Sequence, residues 1–311
     1  MQNTSTKQKA YFGLTLMTII IGLSFIFVKI GLKYASALDL LAHRFTFGAI
    51  SIGFLWMFRV LKFSPLNWAK AKSLLLLSLL YPFLFFAFQT FGLEYSTVSE
   101  AGIIFATVPI ITLIVAGIFL KEKTNLLQKL GIVLSVLGVL YIVYRTGNYS
   151  ENTSLKGVIL LLLSVFSLVA YYALGKKISL QFSTLEITVW MTLLAFIVFN
   201  SWSIIYHLQN NTISTFFDPL IHPEFIWAIL YLGILSSVLT SFLTNFALSK
   251  IPASQIAVFN NLSPIITIIG GVIILGETLQ HYQIIGGILV IIGVSITQIS
   301  KHKNLFSTKK Q

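Results

Sequence analysis

Two fragments, PIITLIVAGIFLKE at residues 109–122 and PIITIIGGVIILGE at 264–277, are the same phrase written twice. Extended outward, residues 97–145 and 252–300 align without a gap at an offset of 155. Pro109 then meets Pro264, Glu122 meets Glu277, Gly131 meets Gly286 and Gly138 meets Gly293. One stretch upstream, Gln89-Thr90-Phe91 meets Thr244-Asn245-Phe246. The start of the repeat is looser, with Gly13 against Gly157 and Gly31 against Gly175 at an offset of 144. A helix needs about 20 apolar residues to cross a bilayer core of about 30 Å. The repeat consists of such stretches, and ten are expected, near 11–32, 39–60, 73–93, 98–120, 126–145, 156–175, 185–206, 225–248, 254–275 and 281–300. Because five spans is an odd number, the second copy enters the membrane from the opposite side. The expected fold is an all-α integral membrane protein with ten transmembrane helices in a 5+5 inverted repeat around a central cavity. Residues 1–150 form the first repeat, and 151–311 form the second with a basic cytoplasmic tail.

Composition points the same way. Apolar residues make up 56% of the 311, charged residues 10%, and the net charge is +12. There are too few polar side chains to cover a soluble body of this size, which argues against a soluble enzyme, a disordered chain and a nucleic-acid module. The basic residues lie between apolar runs rather than on one polar face, so no nucleic-acid partner is expected. Cysteine is absent, which removes disulfides, thiolate metal sites and Cys nucleophiles. No cofactor, metal or catalytic set is expected: the histidines are scattered, and no nucleotide-binding pattern accompanies them.

Lys and Arg mark cytoplasmic loops. With both termini inside, 16 of the 21 basic residues face the cytoplasm, while the loop near 207–224 carries Asp218 and Glu224 but no Lys or Arg. The expected location is the cell membrane, crossed many times, with the lipid bilayer as solvent. The oligomeric state is not legible.

With the doubled proline, the Glu-bearing loop and the Gly-spaced spans GIVLSVLGV (131–139) and GGILVIIGV (286–294), the chain resembles the EamA-type drug/metabolite transporter superfamily. The opening GLSFIFVKIGL (22–32) and the early Arg44 are also similar to that pattern. The resemblance implies a basket of ten helices. Spans one to four and six to nine would surround the cavity, with five and ten outside. It also implies a carrier of small organic metabolites, often outward. Glu100 departs from the general pattern, which has a small neutral residue there.

The expected function is secondary transport, chiefly export, of an amino acid or related amphipathic compound by alternating access; the alternatives are a membrane-embedded enzyme and a channel. Charge inside hydrocarbon costs at least about 2.5–3.5 kcal/mol and calls for a partner. Lys29, Arg44 and Glu100 are charges inside the spans, all in the outer half of the membrane. Glu100 is expected to pair with Arg44 or Lys29, either as a structural partner or as a proton-coupling carboxylate. Lys29 is also readable as a snorkelling side chain. Gln89, Thr90, Thr244, Asn245, Asn260 and Asn261 are amides and hydroxyls that must face the interior, as cavity groups or as helix–helix glue. Tyr172 and Trp190, with Tyr81 and Tyr171, are candidate aromatic walls. Pro109 and Pro264 are read as mid-span hinges or static kinks. The orientation is testable: alkaline phosphatase fused after residue 150 or 215 should be active outside the cell, and activity confined to the cytoplasm at either site overturns the topology.

Overall fold

A computed structural model describes residues 2–58, 68–119, 125–149, 154–178, 182–250 and 262–307. Among these the chain is helical throughout, with no strand. The helices are α1 (Gln2–Gly31), α2 (Ala37–Met57), α3 (Trp68–Ser78), α4 (Phe85–Glu94), α5 (Val98–Phe105), α6 (Val108–Phe119), α7 (Leu126–Tyr149), α8 (Leu155–Ile178), α9 (Thr184–Asn210), α10 (Pro223–Leu230), α11 (Thr240–Lys250), α12 (Leu262–Leu275) and α13 (His281–Ser307). Eight stretches are long and apolar enough to cross a membrane, and Leu262–Leu275 and His281–Thr297 are shorter apolar helices beside them. The chain is thus a multi-pass membrane protein in its helical content and hydropathy.

Helix starts follow a local rule that the sequence repeats three times. Ser36, Thr97 and Ser183 each cap a helix by accepting the amide of the residue three ahead, respectively Asp39, Glu100 and Glu186. A hydroxyl followed three residues later by an acid satisfies the open amides and places negative charge at the positive end of the helix dipole.

Several spans are not continuous α-helices. A π-helical segment, Leu79–Leu84, joins α3 to α4, and another, Tyr231–Leu239, joins α10 to α11. Tyr81 departs from helical geometry altogether (φ −142°, ψ 122°) ahead of Pro82. Between α5 and α6 the chain turns at Ala106–Thr107. Pro109 therefore lies inside the span Val98–Val115 but in the first turn of α6, after a break rather than within a continuous helix. A first-turn N–H has no intrahelical partner to lose, so proline costs nothing there.

The main pairings are α7 with α13, α2 with α9, α4 with α8, α1 with α11 and α12, α5 with α12, and α6 with α8. Helices α7 and α13 lie at the periphery: Leu137, Leu140 and Tyr144 on one, and Ile285, Ile288 and Ile292 on the other, are exposed. Apolar side chains in such number suit lipid as their solvent. The two helices meet through glycine. A Cβ on Gly138 would stand 2.7 Å from the Gly286 carbonyl, and one on Gly131 would stand 2.6 Å from that of Gly293. The paired glycines of the two repeats thus form one seam, of the kind small residues make between membrane helices. Gly138→Val should lower the melting temperature in detergent by the equivalent of about 1–3 kcal/mol of overpacking. Gly53→Val, where nothing lies within 4 Å, should not. Equal melting of the two variants would overturn the seam.

Candidate functional site

The bundle holds a partly open cavity lined from both halves of the chain. Its wall comes from α1 (Ile21, Ser24), α4 (Phe85, Phe86, Gln89), α8 (Leu168, Tyr171, Tyr172), α11 (Thr244) and α12 (Ser263, Pro264). The discontinuities contribute too. Tyr81 and Ser236 come from the two π segments, and Phe105 and Val108 flank the α5–α6 turn. Pocket-forming side chains and broken helix geometry therefore coincide, as they must where backbone groups leave the helical ladder inside a membrane.

Arg44 stands behind this wall and is 1% exposed. Its Nε donates to Ser237 Oγ at 2.8 Å and its Nη2 to Ser236 Oγ at 3.0 Å. The guanidinium carbon lies 3.8 Å from the Phe86 ring centre, a cation–π contact. Its Nη1 has no hydrogen-bond partner among the described residues. The approach depends on Gly233, where a Cβ would stand 2.6 Å from the Arg44 carbonyl. A side chain there would push the second π segment off α2 and carry both serines away.

The expected pairing of Glu100 with Arg44 or Lys29 is not what the structure holds. Glu100 is fully buried and accepts Thr146 Oγ1 at 3.0 Å. Its place in the first turn of α5 supplies the dipole field that a carboxylate needs. Lys29 neither snorkels nor pairs with Glu100. Its Nζ donates to the Leu93 and Ser96 carbonyls at 2.7 and 2.8 Å, tying α1 to the end of α4. Nearby, the Glu277 carboxylate accepts the amides of Val98 and Ser99 at 2.7 and 2.8 Å, and the Ser99 hydroxyl at 2.6 Å. Glu277 thus caps α5 from the loop between α12 and α13.

Of the uncharged candidates, Gln89, Tyr172 and Thr244 line the cavity. Gln89 is 2% exposed, and its Oε1 has no partner among the described residues. Thr90 is fully buried away from the wall. Asn245 joins neighbours: it accepts Tyr171 Oη at 3.1 Å and donates to Thr188 Oγ1 at 3.3 Å. Trp190 is half-buried against the main core. Asn260 and Asn261 lie outside the described residues.

A second polar cluster was not anticipated. Asp39 Oδ1 accepts Ser203 Oγ at 2.6 Å and faces His207 Nε2 at 2.9 Å, while its Oδ2 accepts Ser36 Oγ at 2.8 Å. His207 Nδ1 lies 2.8 Å from Thr212 Oγ1, and His43 Nε2 lies 2.8 Å from the Phe216 carbonyl. A carbonyl only accepts, so that His43 nitrogen carries the hydrogen. The cluster fastens α2 to the C-terminal end of α9 and to the short 3₁₀ helix Ile213–Ile221. The capping phrase SALD at 36–39 was its one local signal; the partnership with His207 spans 168 residues of chain.

Comparison with known proteins gives this architecture its kinship. The sequence profile of the EamA-like transporter family matches residues 8–144 and, a second time, residues 155–298. The chain belongs to the EamA-like transporter family. An uncharacterized transporter of Bacillus subtilis strain 168, YcxC, is 43% identical over 303 residues, covering 94% of each chain. A Salmonella typhimurium relative named a probable amino-acid metabolite efflux pump is 25% identical, covering 90% of this chain and 92% of its own. A solved crystal structure covers 96% of this EamA-like chain and 98% of its own, with a TM-score of 0.61 at 13% identity, a likeness of fold alone. The family and the names of the Bacillus and Salmonella relatives make this EamA-like chain a transporter and point away from an enzyme.

Asp39→Ala removes the acceptor for three donors, each unsatisfied one costing about 1–3 kcal/mol. We expect its melting temperature in detergent to fall well below that of Glu186→Gln, which alters an exposed cap. Indistinguishable melting would remove the cluster from the stability of the fold.

Proposed function

We propose that this transporter is a secondary carrier that exports a small amphipathic organic metabolite, an amino acid or a relative of one, across the cell membrane by alternating access. Its ten spans act as two five-span repeats inserted with opposite orientation, and both termini are cytoplasmic. The supporting observation is the way the helix pairings exchange. At the repeat offset, α1 against α11 corresponds to α4 against α8, and α1 against α12 corresponds to α6 against α8. The pairs α2 with α9 and α7 with α13 each correspond to themselves. The two π segments also fall at matching positions, residues 79–84 against 231–239. Two similar packings around one cavity can exchange roles, one open inward and its counterpart open outward.

The amino-acid class is supported by the name of the Salmonella relative and by a cavity that combines apolar walls with hydroxyl and amide groups. Glu100, buried in the first turn of α5, is the carboxylate we assign to proton coupling.

The test is counterflow in proteoliposomes. Vesicles preloaded with an unlabelled amino acid should accumulate the labelled one transiently, and the effect should saturate. Linear uptake without counterflow would favour a channel, and product formation without transport would favour an enzyme. Glu100→Gln should flatten the pH dependence of flux; full transport with unchanged pH dependence would remove the coupling role.

A further inference from the structure

We infer that the cavity selects an organic monoanion: a carboxylate on a flat or branched apolar body, held by Ser236 in front of Arg44, with no requirement for an ammonium group. This rests on the carrier reading above and narrows its substrate class from an amino acid or a relative of one to the relative that lacks the ammonium group.

Arg44 carries a charge that has no counter-charge among the described residues. The chain has nine acidic residues. Asp39 is held by Ser36, Ser203 and His207, and Glu94 accepts the Ala37 amide. Glu100 takes Thr146, Glu186 closes the cap of α9, and Glu277 caps α5. Asp218 and Glu224 belong to the 3₁₀ helix and the first turn of α10. Glu122 and Glu151 lie outside the described residues. Among the described residues no carboxylate reaches Arg44, whose partners are two hydroxyls and the rings of Phe86 and Phe45. A guanidinium cannot shed its proton to escape this, and a buried charge without a partner is costly. An anion entering the cavity would supply the partner.

The cavity can transmit that charge. Phe86 and Ser236 both touch Arg44 and both line the cavity. The two serines differ in one respect. Ser237 Oγ donates its hydrogen to the Leu232 carbonyl at 2.9 Å. Ser236 Oγ accepts from Arg44, and no acceptor for its own hydrogen is found among the described residues. Polarised by the guanidinium, that hydroxyl is free to donate into the cavity, and a carboxylate is the acceptor such a charge-backed donor favours.

The rest of the wall sets the body of the ligand. Tyr81, Phe85, Phe86, Tyr171 and Tyr172 present aromatic surface, and the unpartnered Gln89 amide offers one polar contact. No acidic side chain lines the cavity. A zwitterion would bring an ammonium toward a positive site with no carboxylate to receive it. A plain aryl or branched acid brings only what the site can satisfy.

The full chain in lipid nanodiscs provides the test. Tritiated 3-phenylpropionate is the probe, and 3-phenylpropionamide, phenylalanine and phenethylamine are the competitors. We expect saturable binding of the acid. The amide and phenylalanine should compete at least tenfold more weakly, and the amine should not compete. Arg44→Gln should weaken binding of the acid by tenfold or more. Ser236→Ala, which removes a hydroxyl and no charge, should weaken it severalfold with an unchanged size-exclusion profile, so the inference does not hang on the folding of the arginine variant. Absence of saturable binding, equal competition by the amide or the amine, or full binding in Ser236→Ala overturns it. Counterflow keeps the two readings apart. Binding of the acid without counterflow sinks the carrier and spares the site. Counterflow of phenethylamine that ignores the acid sinks the site and spares the carrier.

Discussion

In a slab of hydrocarbon, a backbone amide or carbonyl that leaves the helical ladder must find its partner inside the protein. Three departures in this chain obey that constraint at one place. The first π segment, the second π segment and the α5–α6 turn all contribute side chains to the central cavity. Irregular backbone at mid-bundle depth is tolerable because it faces the interior rather than lipid. Loosened helices and an internal cavity are therefore one structural fact.

The charged groups follow from the same constraint. Each is held by whatever dipoles the fold brings within reach, and these are seldom the opposite charges that a linear reading nominates. Lys29 takes the carbonyls at the end of α4. Glu277 takes the amides at the start of α5, and Glu100 sits in that same helix's first turn. Helix ends offer fixed partial charges at no entropic cost of ordering a second long side chain, so they compete well with ion pairs. Arg44 is different. It lies a full two turns into α2, beyond the reach of the helix ends that serve Lys29 and Glu277, and receives only serines and two rings. That difference is the ground of the anion site proposed above.

Peripheral and central helices use glycine for opposite ends. At the seam of α7 and α13, Gly131, Gly138, Gly286 and Gly293 bring two backbones together and leave the remaining faces to lipid. At Gly233 the same property lets a π segment press against α2 and deliver two serines to a buried cation. The first use is static packing. The second positions the chemistry of the cavity, and no span-length pattern distinguishes it from the first.

Hydropathy and the repeat were enough to read the helical membrane class, the approximate extents of the spans, the family and several cavity residues, among them Gln89, Tyr172 and Thr244. These features depend on local pattern: about twenty apolar residues have one way to cross a bilayer, and a polar side chain among them has one direction to face. Tertiary structure decided the partners. Nothing local tells Glu100 that Thr146 will stand beside it, or Asp39 that His207 will, because those distances are set by helices packing across half the chain. It also decided where the helices break: Pro82 marks the first π segment in the sequence, but the second, residues 231–239, carries no proline. Pro109 looks central when counted along its span, yet it stands at a helix start once the break at Ala106–Thr107 is in place.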